Sequence, residues 1–414
     1  MKIWRATLLL LICVLSLYSG AQKKQAEIIN SECFQDIDLL WDLEALSISP
    51  EFSWADSTSP VWSLVYESVP FEGNPSQVFA YYSNPDLLMG RNTGQAFPGV
   101  VLVHGGGGKA FKAWVEKWAA DGYAALAMDL GGLDGSGEPM KMAGPGQSHE
   151  FKFSVIKKGD LKNVWTYHAV ASVILAHSLL LEFPEVNSEK TCVTGISWGG
   201  YLTCIVVGLD NRFKAAVPVY GCAYYNESDV FKESLSELDP SYEAQWMKYF
   251  DPSVYLPFAK ASLFFVNGNK DKFYNVVPYS KTFGLPVETD KNICVKPDMK
   301  HSHTYGWQPV EIKYFFDSIL KDGAPLPKVG NINRNDSVVY SEFNSIVGLR
   351  SASFYYSSGK NSVNKDRKWE SVKAVIDSGK KIIRCDIPEE EFNYAFFYVT
   401  DYREVSVSSP FFIK

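Results

Sequence analysis

A series of short segments in this chain is apolar at nearly every position: residues 99–103, 124–128, 191–194, 215–219, 263–266 and 293–295. Runs of that length and character suit strands covered on both faces, as in a parallel sheet. Between them, residues 111–120, 161–181, 201–209 and 310–320 carry apolar positions at helical spacing, so strand and helix alternate. The alternation predicts an α/β fold with a mostly parallel central sheet covered by helices on both sides. Upstream, residues 61–66 and 77–82 are rich in β-branched and aromatic side chains and flank the turn signal Gly73-Asn74-Pro75, which predicts two antiparallel strands. Residues 22–60 read as an N-terminal arm, with Trp41, Leu46, Phe52 and Trp54 laid against a neighbouring surface. After Pro325-Leu326-Pro327 the pattern shortens to alternating segments at 338–343, 352–356, 381–385 and 395–399 with no helical stripe between them. A small C-terminal all-β sandwich over 328–414, to which an immunoglobulin-like layout is suited, is the expectation.

The chain has 414 residues, more than one hydrophobic core ordinarily serves, and the α/β pattern assigns 61–326 to one domain and the sandwich to a second. At the N-terminus, Lys2 and Arg5 precede an apolar run from Ala6 to Leu17, and Ser19 and Ala21 are the small residues a cleavage site requires. Residues 1–21 are therefore expected to be a signal peptide that exports the protein to the periplasm or the medium. The run is shorter than a bilayer span of about 20 residues, so no integral membrane span is expected after processing. Cys13 follows Ile12, where lipid attachment calls for a small residue. Removing the leader takes the formal charge from −7 to −9, because Lys2 and Arg5 leave and no acid does. An acidic chain of this kind offers nothing to nucleic acid. Cys33, Cys192, Cys204, Cys222, Cys294 and Cys385 are scattered without metal-binding spacing, so no metal site is expected and their pairing stays open.

The chemistry-bearing pattern is Gly195-Ile196-Ser197-Trp198-Gly199-Gly200, which follows the apolar run Cys192-Val193-Thr194 and opens a helical stretch. Glycines flanking a serine where a strand turns into a helix form a nucleophile elbow, whose strain lifts one hydroxyl clear of the sheet. Such a serine needs an imidazole to take its proton and an acid to fix that imidazole's tautomer. In the expected chain order, Asp271 follows the strand ending near Val266, and His301 and His303 follow the strand ending near Val295. Asp271 is the predicted acid; His301 is the predicted base because it lies nearer its strand, with His303 the alternative. The oxyanion formed on attack needs two backbone donors. Trp198 N–H, at the helix start, is one; Gly106, or else Gly107, in the run His104-Gly105-Gly106-Gly107-Gly108 is the other. That run lacks the Lys-Ser/Thr ending of a phosphate-binding loop. Around the substrate the expectation places His104, chiefly as a support for the glycine loop and outside the triad, Asp129 at another strand end, and the aromatic face of Trp307. The walls of the pocket are expected from the loops 131–159 and 224–249. The chemistry is complete without a cofactor.

Together these segments resemble the α/β-hydrolase superfamily, and within it the dienelactone hydrolase and acetyl xylan esterase-like branch. The matching stretches are 101–108, 195–201, Gly268-Asn269-Lys270-Asp271 and Met299-Lys300-His301-Ser302-His303. The resemblance implies Ser197, Asp271 and His301 as the triad and a carboxylic ester hydrolase, often acting on acetylated carbohydrate, so that the partner is a small-molecule or polysaccharide ester. It covers about residues 60–325. Two other readings stand beside it. A prolyl oligopeptidase-like serine peptidase shares the elbow and the chain order, although few residues precede Val61 to build that group's additional domain. A non-catalytic glycan-binding protein on a hydrolase scaffold would normally have lost a triad member, and this chain has all three.

Overall fold

In the computed structural model, residues 39–359 and 363–414 are described. The expected leader, Cys33 and the first part of the arm lie outside the described residues. The strands of the main sheet are β1 (Phe52–Asp56), β2 (Trp62–Phe71), β3 (Asn74–Ser83), β4 (Phe97–Val103), β5 (Ala124–Met128), β6 (Val186–Ile196), β7 (Ala215–Val219), β8 (Ser262–Gly268) and β9 (Lys291–Lys296). They lie side by side in the order β1-β2-β3-β5-β4-β6-β7-β8-β9. The first three and the β3–β5 pair are antiparallel, and every pair from β5–β4 to β8–β9 is parallel. All of β5 and β7 is buried, as their unbroken apolar sequences require when helices cover both faces.

The covering helices are α1 (Lys112–Ala120), α2 (Trp165–Glu182), α3 (Trp198–Leu209) and α4 (Val310–Leu320). Helix α2 is buried from Trp165 to Leu180 and packs on α3 and on β2, β4, β5 and β6. Helices α1 and α4 meet through the rings of Trp118 and Phe316. None of the described helices is long and apolar enough to cross a membrane.

The sheet differs from the sequence expectation at its edge. Phe52–Asp56 is the outermost strand of the main sheet, paired to β2, and its side chains stay exposed. Phe52 and Trp54 still pack on Phe183. Trp41 and Leu46 are buried, and the Trp41 indole donates to Tyr167 O at 2.9 Å.

Residues from Lys328 onward form two antiparallel sheets, one built on Val338–Asn344 and Ile382–Asp386, the other on Leu349–Ser357 and Tyr394–Asp401. Their buried side chains, including Val339 and Ile383 from one and Phe354, Phe397 and Val399 from the other, join one hydrophobic cluster. The strand Ser406–Ser408 lies against β9, where Val295 N–H donates to Ser408 Oγ at 3.0 Å. The C-terminal sheets thus sit on the edge of the main sheet beside the loops that follow β8 and β9.

The chain reverses its direction of sheet growth at β4, which lies between β5 and β6. The ends of β4 and β6 are level, with Val103 paired to Gly195. Ligands of open α/β sheets bind outside the carboxyl ends of the strands at such a point. The glycine run and Ser197 both emerge there.

Candidate active site

Ser197 occupies the corner between β6 and α3 with φ 59° and ψ −116°, a conformation that costs a non-glycine residue free energy. Its glycine neighbours are required by space. A Cβ on Gly195 would lie 2.1 Å from Gly199 O, and one on Gly199 would lie 2.0 Å from Val103 O. The turn is thereby pressed against the end of β4.

Ser197 Oγ lies 2.9 Å from His301 Nε2, and His301 Nδ1 lies 2.5 Å from Asp271 Oδ2. A carboxylate only accepts, so His301 donates from Nδ1 and leaves Nε2 to accept the serine proton. The other carboxylate oxygen of Asp271 accepts the N–H groups of Phe273 and Tyr274, both at 2.8 Å. Asp271 is buried, and the imidazole of His301 lies among the rings of Tyr220, Phe273 and Tyr274. These aromatic neighbours hold the ring in the plane that reaches both partners.

His303 is engaged elsewhere. Its Nε2 accepts Gly105 N–H at 3.0 Å, and its ring packs on Phe111. Burial lowers its pKa, in keeping with a neutral acceptor. The glycine run is held on either side of Gly106: Gly107 N–H donates to Gln147 Oε1 at 3.1 Å and Gly108 N–H to Gly105 O at 3.1 Å. The Gly106 amide has no acceptor among the described residues. Trp198, the first residue of α3, has no intrahelical acceptor by its position. These two amides are free donors on the two loops that flank Ser197, whereas Gly107 N–H is already spent.

A cavity of about 310 Å³ opens beside Ser197, lined by Gly106, Trp198, Phe231, Phe273, His301 and His303 among others. His104, Asp129 and Trp307 do not line it. His104 is buried, donates Nδ1–H to Gly105 O at 2.8 Å and accepts Leu130 N–H on Nε2 at 2.8 Å. Burial holds its pKa down to about 4, so the imidazole is a neutral strut beneath the loop. Asp129 caps its own loop through the Gly131 and Leu133 amides and faces a separate small cavity with His168. Trp307 packs on Phe111 and Trp114. Each of the three braces the surroundings instead of facing the serine.

The family model of the acetyl xylan esterases (AXE1) matches residues 18–317. The chain belongs to the acetyl xylan esterase family. It is accordingly a serine carboxylic ester hydrolase of the carbohydrate esterase type. Among solved structures, the acetyl xylan esterase from Paenibacillus sp. R4 superposes with a TM-score of 0.57 at 21% identity, covering 69% of this chain and 95% of that one. Acetyl xylan esterase 1 from Thermoanaerobacterium sp. JW/SL YS485 superposes with a TM-score of 0.52 at 15% identity, covering 72% and 93%. Both share the α/β-hydrolase fold with this chain. No curated protein sequence matches it.

Phe231 and Phe273 escaped the sequence reading, because local pattern carries no sign of which cavity an aromatic side chain faces. Gln147 and Phe231 do fall within the two loops expected to shape the pocket.

Proposed function

We propose that this protein removes acetyl groups from carbohydrate by way of an acyl-serine intermediate, with Ser197 as nucleophile, His301 as general base and acid, and Asp271 as the acid that orients His301. The observation that carries the proposal is the continuous hydrogen-bonded line from Ser197 Oγ through the imidazole to Asp271. Ser197 Oγ attacks the ester carbonyl as its proton passes to His301 Nε2. The carbonyl oxygen becomes an oxyanion that accepts from the Trp198 and Gly106 amides. Collapse of the adduct breaks the bond to the sugar oxygen, which takes the proton from His301, departs as a hydroxyl and leaves an acetyl group on Ser197. Water then repeats the sequence and releases acetate. The Asp271 carboxylate favours the imidazolium in each transition state.

The aromatic walls given by Trp198, Phe231 and Phe273 suit a short acyl group and one face of a sugar ring. Residues 1–21, with their basic start, apolar run and small residues before the cut, support export to where polysaccharide is found.

The test is a panel of 4-nitrophenyl acetate, 4-nitrophenyl butyrate, acetylated xylan and a proline-type dipeptide anilide, together with labelling by a fluorophosphonate, on wild type and Ser197→Ala. The proposal predicts acetate release from the first and third substrates and labelling, both lost in the variant. Cleavage of the anilide alone would move the protein to the peptidases.

A further inference from the structure

Lys152 lies at the end of the short helix His149–Lys152 and is 7% exposed. Its ammonium has no hydrogen-bond acceptor and no carboxylate partner among the described residues. It is held instead against two indole faces, 4.3 Å from the ring centre of Trp198 and 4.9 Å from that of Trp165. A methyl placed on Gly106 would sit 3.5 Å from Nζ. The ammonium therefore flanks both loops that carry the free amides.

Buried lysines are ordinarily paired, because an isolated charge loses its hydration. The acids that meet its own helix are engaged by other residues: Glu150 pairs with Lys158, and Glu237 lies 3.8 Å from His149. The surroundings that hold Lys152 are themselves fixed. Trp165 Nε1–H donates to Leu130 O at 2.7 Å, and Trp246 Nε1–H donates to the Lys152 carbonyl at 2.8 Å. A cation kept in place at that cost, without an anion, next to the point where the reaction creates one, calls for an electrostatic reading.

Resting on the acyl-serine reading above, we propose that Lys152 supplies a fixed positive charge that stabilises the oxyanion formed at Ser197. No bond to Lys152 forms or breaks. Its field acts across the indole of Trp198, which screens a charge developing between Trp198 and Gly106 less than water would. A preformed charge of this kind lowers the barrier without reorganising during the reaction, and it favours the adduct over the neutral ester. The result is a larger kcat with little effect on KM.

Burial brings the Lys152 pKa down to about 8. The groups facing it do not confuse the readout. His104, on the glycine loop, is held neutral by burial down to about pH 4, and Trp165, Trp198 and Trp246 bring no charge. His303, beyond His104, is lowered from its ordinary value.

The test uses Lys152→Met, which keeps the length of the side chain, and measures kcat and KM for 4-nitrophenyl acetate, thermal midpoint and the pH dependence of kcat. The expected result is a fall in kcat of at least about tenfold with KM little changed, and a thermal midpoint equal to or above that of wild type. A purely structural lysine would instead lower the midpoint. In wild type, kcat declines as pH rises through about 8, and that decline is absent from the variant. The wild-type profile needs no variant to fold, and a flat profile from about pH 7 to about pH 11, which spans the lowered and the ordinary lysine range, would overturn the proposal. An unchanged kcat in Lys152→Met would overturn it as well. Absence of Ser197-dependent turnover in wild type would instead remove the acyl-serine reading on which it rests.

Discussion

The Gly105 amide donates to His303 Nε2 at 3.0 Å, so the second histidine of the pair at 301 and 303 is tied to the glycine loop and not to the serine. The two imidazoles divide the work: one reaches Ser197, the other fixes the strand-end loop that carries Gly106. His303→Ala should release that loop and lower kcat on 4-nitrophenyl acetate by about tenfold to a hundredfold, the scale of weakening one oxyanion donor. His301→Ala should approach the loss seen on removing the nucleophile. Equal losses in the two variants would contradict this division.

Asp271→Asn separates orientation from folding. The substituted side chain keeps an oxygen for the Phe273 and Tyr274 amides, so the loop should hold its shape and the thermal midpoint should move little. The imidazole, however, loses the acceptor that selects its tautomer. A drop in kcat of about 10⁴ is expected, checked by steady-state kinetics beside a melting curve.

Gly106 and Gly107 should respond differently to alanine. At Gly106 the new Cβ would lie 2.8 Å from Trp198 Cδ1, which forces apart the two amides that flank Ser197. Gly106→Ala is therefore expected to lose kcat by about 10²-fold. At Gly107 nothing lies within 4 Å, but φ is +68°. Gly107→Ala should show its effect chiefly as stability, a loss of about 1 kcal/mol in denaturant unfolding.

Acid should unfold the protein through its buried imidazoles. Burial holds His104 and His168 near a pKa of about 4, against 6.5 for an ordinary histidine. Between those values the unfolded chain binds protons that the folded chain refuses, so stability is present above about pH 6.5 and falls as pH drops towards 4. Each group contributes at most about 3 kcal/mol. Asp129 and Asp251, whose carboxyls burial pushes upward, act in the opposite sense and offset part of the loss. The urea midpoint should be lower at pH 4.5 than at pH 7; an equal or higher midpoint would count against the assignment of neutral buried imidazoles.

What the sequence disclosed follows from how local each signal is. The parallel strands were legible because double-sided burial leaves unbroken apolar runs, as in Ala124–Met128. Ser197 was legible because the space around Gly195 and Gly199 excludes a side chain, and that exclusion is written into neighbouring positions. Phe52–Asp56 reads as part of an arm because this short exposed edge strand carries only Phe52 and Trp54 as an apolar signal, which fits an arm laid on a neighbouring surface equally well. The choices between His301 and His303 and between Gly106 and Gly107 depend on contacts that sequence spacing does not encode. Asp129 and Trp307 were expected at the substrate from their positions at strand and loop ends, yet side-chain direction turns them into bracing. The C-terminal sheets reach the site by a similar route. Asn364 Nδ2–H donates to the Asp271 carbonyl at 2.7 Å, and Trp369 Nε1–H to the Asn269 carbonyl at 3.1 Å. The acid loop is thus fastened by residues about a hundred positions downstream, which local pattern does not disclose.

The central claim is that Ser197 removes acetyl groups from carbohydrate. Its most direct test is acetate release from acetylated xylan by wild type and Ser197→Ala at equal concentrations. The account predicts steady release by wild type and a fall of about 10⁶-fold in the variant, the scale of removing a triad nucleophile. Acetate release that persists in Ser197→Ala, or none from a wild type that turns over other esters, would contradict it.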